Sequence, residues 1–151
     1  MEQKIIEDPV LKQRLGFQPS EDGEALIVEM WVEPGGGVPP HVHPVMEERF
    51  EVISGELSLL AGRKWTVAGP GETVTVPPGI RHAYRNNGSG PTHATVRAAP
   101  PQTLQEFLEE AAAMAREGKL TRNGLPKSPS GALQALRLAI RHRKMVMMRW
   151  I

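Results

Sequence analysis

The chain has 151 residues, 40% of them hydrophobic and 23% charged, with a formal net charge of +1, which is the balance of an ordinary globular domain. It has no cysteine, which excludes disulfides, thiolate nucleophiles and cysteine-ligated zinc or iron–sulfur centres. The stretch MEQKIIEDPV lacks the basic start and apolar core of a secretory signal, and no apolar run approaches the length of a membrane span, so a soluble, cytoplasmic protein is expected.

In chain order, the first hundred residues read as short strands separated by turns, after an amino-terminal strand or arm. In ALIVEMWVEPGG, Leu26, Val28, Met30 and Val32 fall on one face and Ile27, Glu29, Trp31 and Glu33 on the other, the pattern of a half-buried strand. RFEVISGELSLLAG breaks at Ser54-Gly55 as a strand–turn–strand would. KWTVAGPGETVTVPPG carries turn signals at Gly69-Pro70-Gly71 and Pro77-Pro78-Gly79, HAYRNNGSGP ends in another turn, and THATVRAA alternates again. Closely spaced Gly and Pro turns between short strands predict a small antiparallel barrel or sandwich over residues 1–101.

After Ala99-Pro100-Pro101 the period changes. Thr103 and Glu106 have capping-box spacing, and Leu104, Phe107, Leu108, Ala111 and Ala115 recur at helical intervals until Gly118. KLTRNGLPKSPS then reads as a polar connector. From about Ser130 a second helical pattern runs through Leu133, Leu136, Ile140 and Met147. Residues 102–151 are thus expected to form a carboxy-terminal extension of two helices.

Charge is unevenly spread. From Lys119 onward the chain holds Lys119, Arg122, Lys127, Arg137, Arg141, Arg143, Lys144 and Arg149 and no acid, so the body before it is net acidic. The expectation is that the basic tail docks on its own body or on a second copy. Sparse aromatics and the lack of a nucleic-acid motif argue against DNA or RNA as partner. Contact of LRLAIRHRKMVMMRWI with a membrane surface is the weaker alternative, because Lys144 interrupts its apolar stripe.

Chemistry concentrates in GGGVPPHVHPVMEERFEVISGEL. Strand residues two apart share a face, so His41 and His43 can point into one pocket, as can Glu48, Phe50 and Val52. Glu47 would lie on the opposite face from Glu48. Downstream, His82, Tyr84 and Asn86 share a face, and side-by-side strands would add a third imidazole. Three neutral imidazoles and a carboxylate suit a divalent Fe, Mn, Ni, Co or Zn ion with open positions for water or substrate.

The spacing of these residues resembles a known family. Gly35, His41-x-His43, Glu48 and Gly55 are similar to the first motif of the cupin superfamily, and Gly71, Pro77-x-Gly79, His82 and Asn86 to the second, with every fixed position filled. The resemblance covers roughly residues 20–100. It implies an all-β double-stranded β-helix of the jelly-roll, RmlC-like kind, to which the helices are an extension, and it implies that His41, His43, Glu48 and His82 bind one divalent metal. It also suggests a homodimer.

The remaining candidates have two readings each. Tyr84 is either a proton donor to a metal-bound substrate, and so the catalytic residue, or an amphipathic core residue with a satisfied hydroxyl. His93 and His142 read as satisfied structural histidines, and Asn86 as a structural hydrogen-bonder at a strand end. Gly55 and Gly71 read as turns with positive φ. Phe50, Met30, Trp31 and Trp65 read as barrel packing, and Arg97 as a solvent-facing residue on an edge strand. Dioxygenases, isomerases, decarboxylases and lyases all occur among cupins, so the expected function is a metal-dependent enzyme acting on a small oxygenated molecule. The alternative is a non-catalytic binding or sensor module whose helices contact a partner.

Overall fold

The computed structural model describes residues 3–121 and 125–148. Eleven strands and two helices follow one another as β1 (Ile5–Asp8), β2 (Gln13–Pro19), β3 (Leu26–Val32), β4 (Gly37–Val42), β5 (Glu47–Ser54), β6 (Leu57–Ala61), β7 (Lys64–Ala68), β8 (Thr73–Val76), β9 (His82–Arg85), β10 (Thr92–Ala99), α1 (Leu104–Arg116), α2 (Pro129–Arg141) and β11 (Met147–Met148). They form two antiparallel sheets, ordered β1-β2-β3-β10-β5-β8 and β11-β4-β9-β6-β7. The inward rows of both join in one core that includes Val28, Met30, Phe50, Val96, Leu57 and Leu59. Among the described residues the two sheets do not merge into a closed hydrogen-bonded ring, so the expected barrel is a two-sheet jelly roll.

The alternation seen in the sequence is realised strand by strand. β3 buries Leu26, Val28, Met30 and Val32 and leaves the residues between them half-buried. β10 alternates in the same way between β3 and β5. It is therefore a central strand, which corrects the edge-strand reading of Arg97; the side chain still reaches solvent, where it pairs with Asp22 at 3.2 Å. The turn after β5 needs Gly55, whose φ is +79° and where an added Cβ would lie 2.7 Å from the Pro91 carbonyl oxygen. Trp65 was expected to pack inside and does not: it sits on the outer face of the edge strand β7, 51% exposed.

The carboxy-terminal region departs further from expectation. Helix α1 forms, but the Thr103 side chain makes no cap hydrogen bond, so there is no capping box; its hydroxyl is instead 2.7 Å from His142 Nδ1. Helix α2 is capped by Ser128, whose hydroxyl accepts from the Gly131 N–H at 3.1 Å, and it ends at Arg141 rather than running through Met147. Of its apolar residues, Leu133, Leu136 and Ile140 are 48%, 56% and 49% exposed while Leu138 is buried. The chain then turns at buried His142, buries Met145 and Val146, and lays Met147 and Met148 against Val42 and His41 of β4 as β11. Strand pairing with an open sheet edge satisfies the backbone there, which another turn of helix could not do. The tail meets acidic residues of its own chain in part, with Arg141 2.5 Å from Glu110. Arg122, Arg149 and Trp150 lie outside the described residues.

Candidate metal centre

The four residues picked out by spacing converge between the two sheets. His41 and His82 are cross-strand partners on β4 and β9, His43 follows the end of β4, and Glu48 reaches in from β5 on the facing sheet. Their ligating atoms all lie within 4.8 Å of one another. The imidazole centroids are separated by 4.2 Å (His41–His82), 4.9 Å (His41–His43) and 5.2 Å (His43–His82). Glu48 is buried and Glu47 exposed, as the strand period requires.

Each ring is oriented by a backbone carbonyl, which can only accept. His41 Nδ1 donates to Pro39 O at 2.9 Å, His82 Nδ1 to Ile80 O at 2.8 Å, and His43 Nδ1 to Met145 O at 2.8 Å. With Nδ1 protonated, the Nε2 lone pair of each ring is free to face the centre, the tautomer in which a metal-ligating histidine is held by a partner behind it. Glu48 Oε1 lies 2.6 Å from His82 Nε2 and 3.1 Å from His43 Nε2. A divalent cation placed between these nitrogens and the carboxylate would meet both the Nε2 lone pairs and the anionic oxygen.

Electrostatics follow from this crowding. Burial, joined by the charges of His82 and His43, pushes His41 down to about 3, and Glu48 opposes the shift without reversing it. For His43 burial acts downward too, but the hydrogen bond and charge of Glu48 and the Met145 carbonyl outweigh it and raise the ring above its ordinary value. Burial pushes the Glu48 carboxyl up; the hydrogen bonds from His43 and His82, with their charges, win and hold it well below the usual carboxylate range. The donor set thus fits a divalent ion: one anionic oxygen from Glu48 and three imidazoles, of which His41 is held neutral.

A cavity of about 300 Å³ opens beside the cluster, with His41, His43 and Glu48 in its lining. Tyr84 also lines it and is buried, with its hydroxyl donating to Gln13 Oε1 on β2. Burial, reinforced by the negative charges of Glu48 and Asp8, pushes the Tyr84 hydroxyl far above the ordinary phenol range. The hydroxyl is therefore both on the cavity wall and satisfied. Phe50 and Met30 are buried on that wall, whereas Trp31 stacks on His93 at 5.2 Å, outside it.

Other candidates are structural. Asn86 is fully buried; its amide donates to Val32 O and Gly90 O, and its carbonyl accepts from the Gly88 N–H, so it ties a strand end together. His93 pairs with Glu29 at 2.8 Å. His142, read as satisfied, is buried at the end of α2 against Phe107; its Nδ1 meets the Thr103 hydroxyl, but its Nε2 has no hydrogen-bond partner, so only one ring nitrogen is satisfied. Three participants were missed. Asp8 and Gln13 come from the amino-terminal strands, where nothing local distinguishes them, and the Met145 carbonyl is a backbone group that no residue pattern reveals.

Two facing sheets with three imidazoles and a carboxylate converging between them define a double-stranded β-helix protein with a site able to hold a metal ion. The sequence pattern of the cupin domain matches residues 28–96, a stretch that runs from β3 to β10 and contains all four clustered side chains. It is similar to an uncharacterised conserved protein with a double-stranded β-helix domain from Klebsiella pneumoniae, with 25% identity and a TM-score of 0.54 over 60% of this chain and 79% of that one. An RmlC-like cupin from Shewanella frigidimarina shares the fold at 19% identity and a TM-score of 0.58, over 67% and 86% of the two chains. So does the Streptomyces nucleoside dehydratase Pac13, at 22% identity and a TM-score of 0.56, over 69% and 81%. No curated protein matches the sequence. Among the described residues no helix is long and apolar enough to cross a membrane.

Proposed function

We propose that this protein is a divalent-metal-binding cupin that acts on a small oxygenated molecule held in the cavity beside His41, His43, Glu48 and His82. The observation that carries this reading is the set of Nδ1 hydrogen bonds to Pro39, Met145 and Ile80, which turns Nε2 of all three histidines toward one carboxylate. Fe, Mn, Ni, Co and Zn all accept such donors. When bound, the ion supplies Lewis-acid polarisation of a substrate oxygen, with oxygen chemistry added in the case of iron.

The chain's own residues supply the surroundings. The apolar cavity wall excludes water and so strengthens polar interactions at the cluster. Tyr84 on that wall is fixed by its hydrogen bond to Gln13 and lies within the field of Glu48. Oxidation, isomerisation, decarboxylation and elimination are the reaction types consistent with such a site. A non-catalytic ligand-binding role is favoured by one observation: the Tyr84 hydroxyl is already engaged with Gln13 and resists losing its proton. A homodimer, with the exposed Leu133, Leu136 and Ile140 of α2 as the contact row, belongs to the same proposal.

The test is metal-dependent stability. A ligand at about 100 times its Kd stabilises the folded state by roughly 2.7 kcal/mol, so at least one of the five metal ions should raise the melting temperature, and His82→Ala should abolish the rise. If none of the five raises it, the proposal fails. Tyr84→Phe then separates the two roles: loss of turnover with ligand binding retained supports catalysis, and unaffected turnover removes Tyr84 from it.

A further inference from the structure

The cavity beside the cluster is polar at one end and apolar elsewhere. Val28, Met30, Phe50 and Val96 form its sheet wall, and Leu108 and Leu138 close it from α1 and α2. Among the described residues its only polar side chains are Asp8, His41, His43, Glu48 and Tyr84, and no Lys or Arg lines it. Two of those five are already occupied: Asp8 Oδ1 accepts the Val10 and Leu11 N–H groups at 3.0 and 2.9 Å, and the Tyr84 hydroxyl is bound to Gln13. Free polar capacity is therefore concentrated at the cluster.

A sugar, a nucleotide or a phosphorylated metabolite placed here would bury hydroxyls or anionic oxygens against aliphatic carbon. Each one left unpaired would weaken binding by about tenfold or more. An apolar chain meets no such obstacle. A cavity of about 150 Å³ holds benzene, so about 300 Å³ has room for roughly a dozen non-hydrogen atoms.

We propose that the ligand of this site is an amphiphile, with a two-oxygen head that meets the His41–His43–Glu48–His82 cluster and an apolar body of about eight carbons that lies between the sheet wall and the two carboxy-terminal helices, an assignment that rests on the metal-centre reading above. The helices thereby acquire a purpose in the site: they form the part of the wall that selects ligand length.

Hydroxamic acids test this, because the head is constant and the chain is variable. The full-length protein is loaded with Co(II), whose absorption reports both metal occupancy and head-group binding, and titrated with acetohydroxamate, butanohydroxamate, hexanohydroxamate and octanohydroxamate. Affinity should rise about fourfold for each added methylene, as expected for burial of a CH₂ group. Ala111→Phe, which fills the cavity from α1, should weaken octanohydroxamate at least tenfold and leave acetohydroxamate within about twofold. A series that binds with no dependence on chain length overturns the amphiphile assignment and leaves the metal centre standing. Failure to retain Co(II), or any of Fe, Mn, Ni and Zn offered in its place, overturns the metal reading and this assignment with it.

Discussion

The jelly roll and the carboxy-terminal segment build one site under different rules. In the sheets each residue's face is set by its neighbour across the ladder: His41 opposes His82, Glu48 opposes Val76, and the buried rows of β3 and β10 follow the period of two without exception. Nothing so strict governs α2. Its leucine and isoleucine stripe faces solvent, while Leu138 and the small Ala135 and Ala139 line the cavity. A strand pattern names its buried face because the ladder enforces it, whereas a helix can offer its apolar stripe elsewhere and still close a cavity with small residues.

The largest effect that would sharpen this contrast is in stability. Leu59→Ala on β6, where the side chain is 1% exposed, should destabilise the protein by about 2–5 kcal/mol in chemical denaturation. Leu136→Ala on α2, at 56% exposure, should change it by less than about 0.5 kcal/mol in a monomer. Comparable losses at the two positions in protein dilute enough to be monomeric would break the contrast, whereas a Leu136→Ala loss that appears only at high concentration would report the proposed homodimer.

A pH titration of the metal-free protein probes the cluster. His41 is held at about 3, below its unfolded value of 6.5, so its contribution is present above pH 6.5 and is lost as pH falls toward about 3. Glu48, also lowered, loses its contribution below about pH 4.5. His43 is raised, so its contribution is complete below 6.5 and fades only as pH rises above that value. The slopes of His41 and Glu48 add on the acid side, opposed there by Asp8, which burial raises above its ordinary value, and the denaturation midpoint should fall as pH drops from 6.5 toward 4. His41→Phe should flatten that slope; an unchanged slope would contradict the assignment.

The two regions meet at the Met145 carbonyl, which holds the His43 ring. Truncation after Arg141 removes it and should weaken metal binding by about 10–100-fold while the sheet circular dichroism persists. Unaltered affinity would mean that the jelly roll orients His43 unaided. The smallest expected effect is Thr103→Val, which deletes the bond to His142 where the tail turns; roughly 1 kcal/mol of stability should be lost, with metal affinity within about twofold.

How much of this could be read beforehand follows the same division. The spacing of His41, His43, Glu48 and His82 told in advance that the four side chains meet, because strand geometry converts spacing into direction. Gly55 and Asn86 were legible for the same reason, since a left-handed turn and a strand end demand particular residues. Thr103 misled because its hydroxyl had two available partners and tertiary packing chose His142 over the helix end. Trp65 misled because an aromatic on an edge strand has two faces to choose from. Asp8, Gln13 and the Met145 carbonyl reach the site only through long-range packing, and neither spacing nor period encodes that.

The central claim is that one divalent ion is held by three histidines and one glutamate, and the metal content of the purified protein, by plasma mass spectrometry after dialysis, tests it most directly. Wild type should carry about one equivalent of a single divalent metal, or take it up on reconstitution, and His82→Ala and Glu48→Ala should each lose most of it while remaining folded. Metal content unchanged by either substitution would contradict the claim.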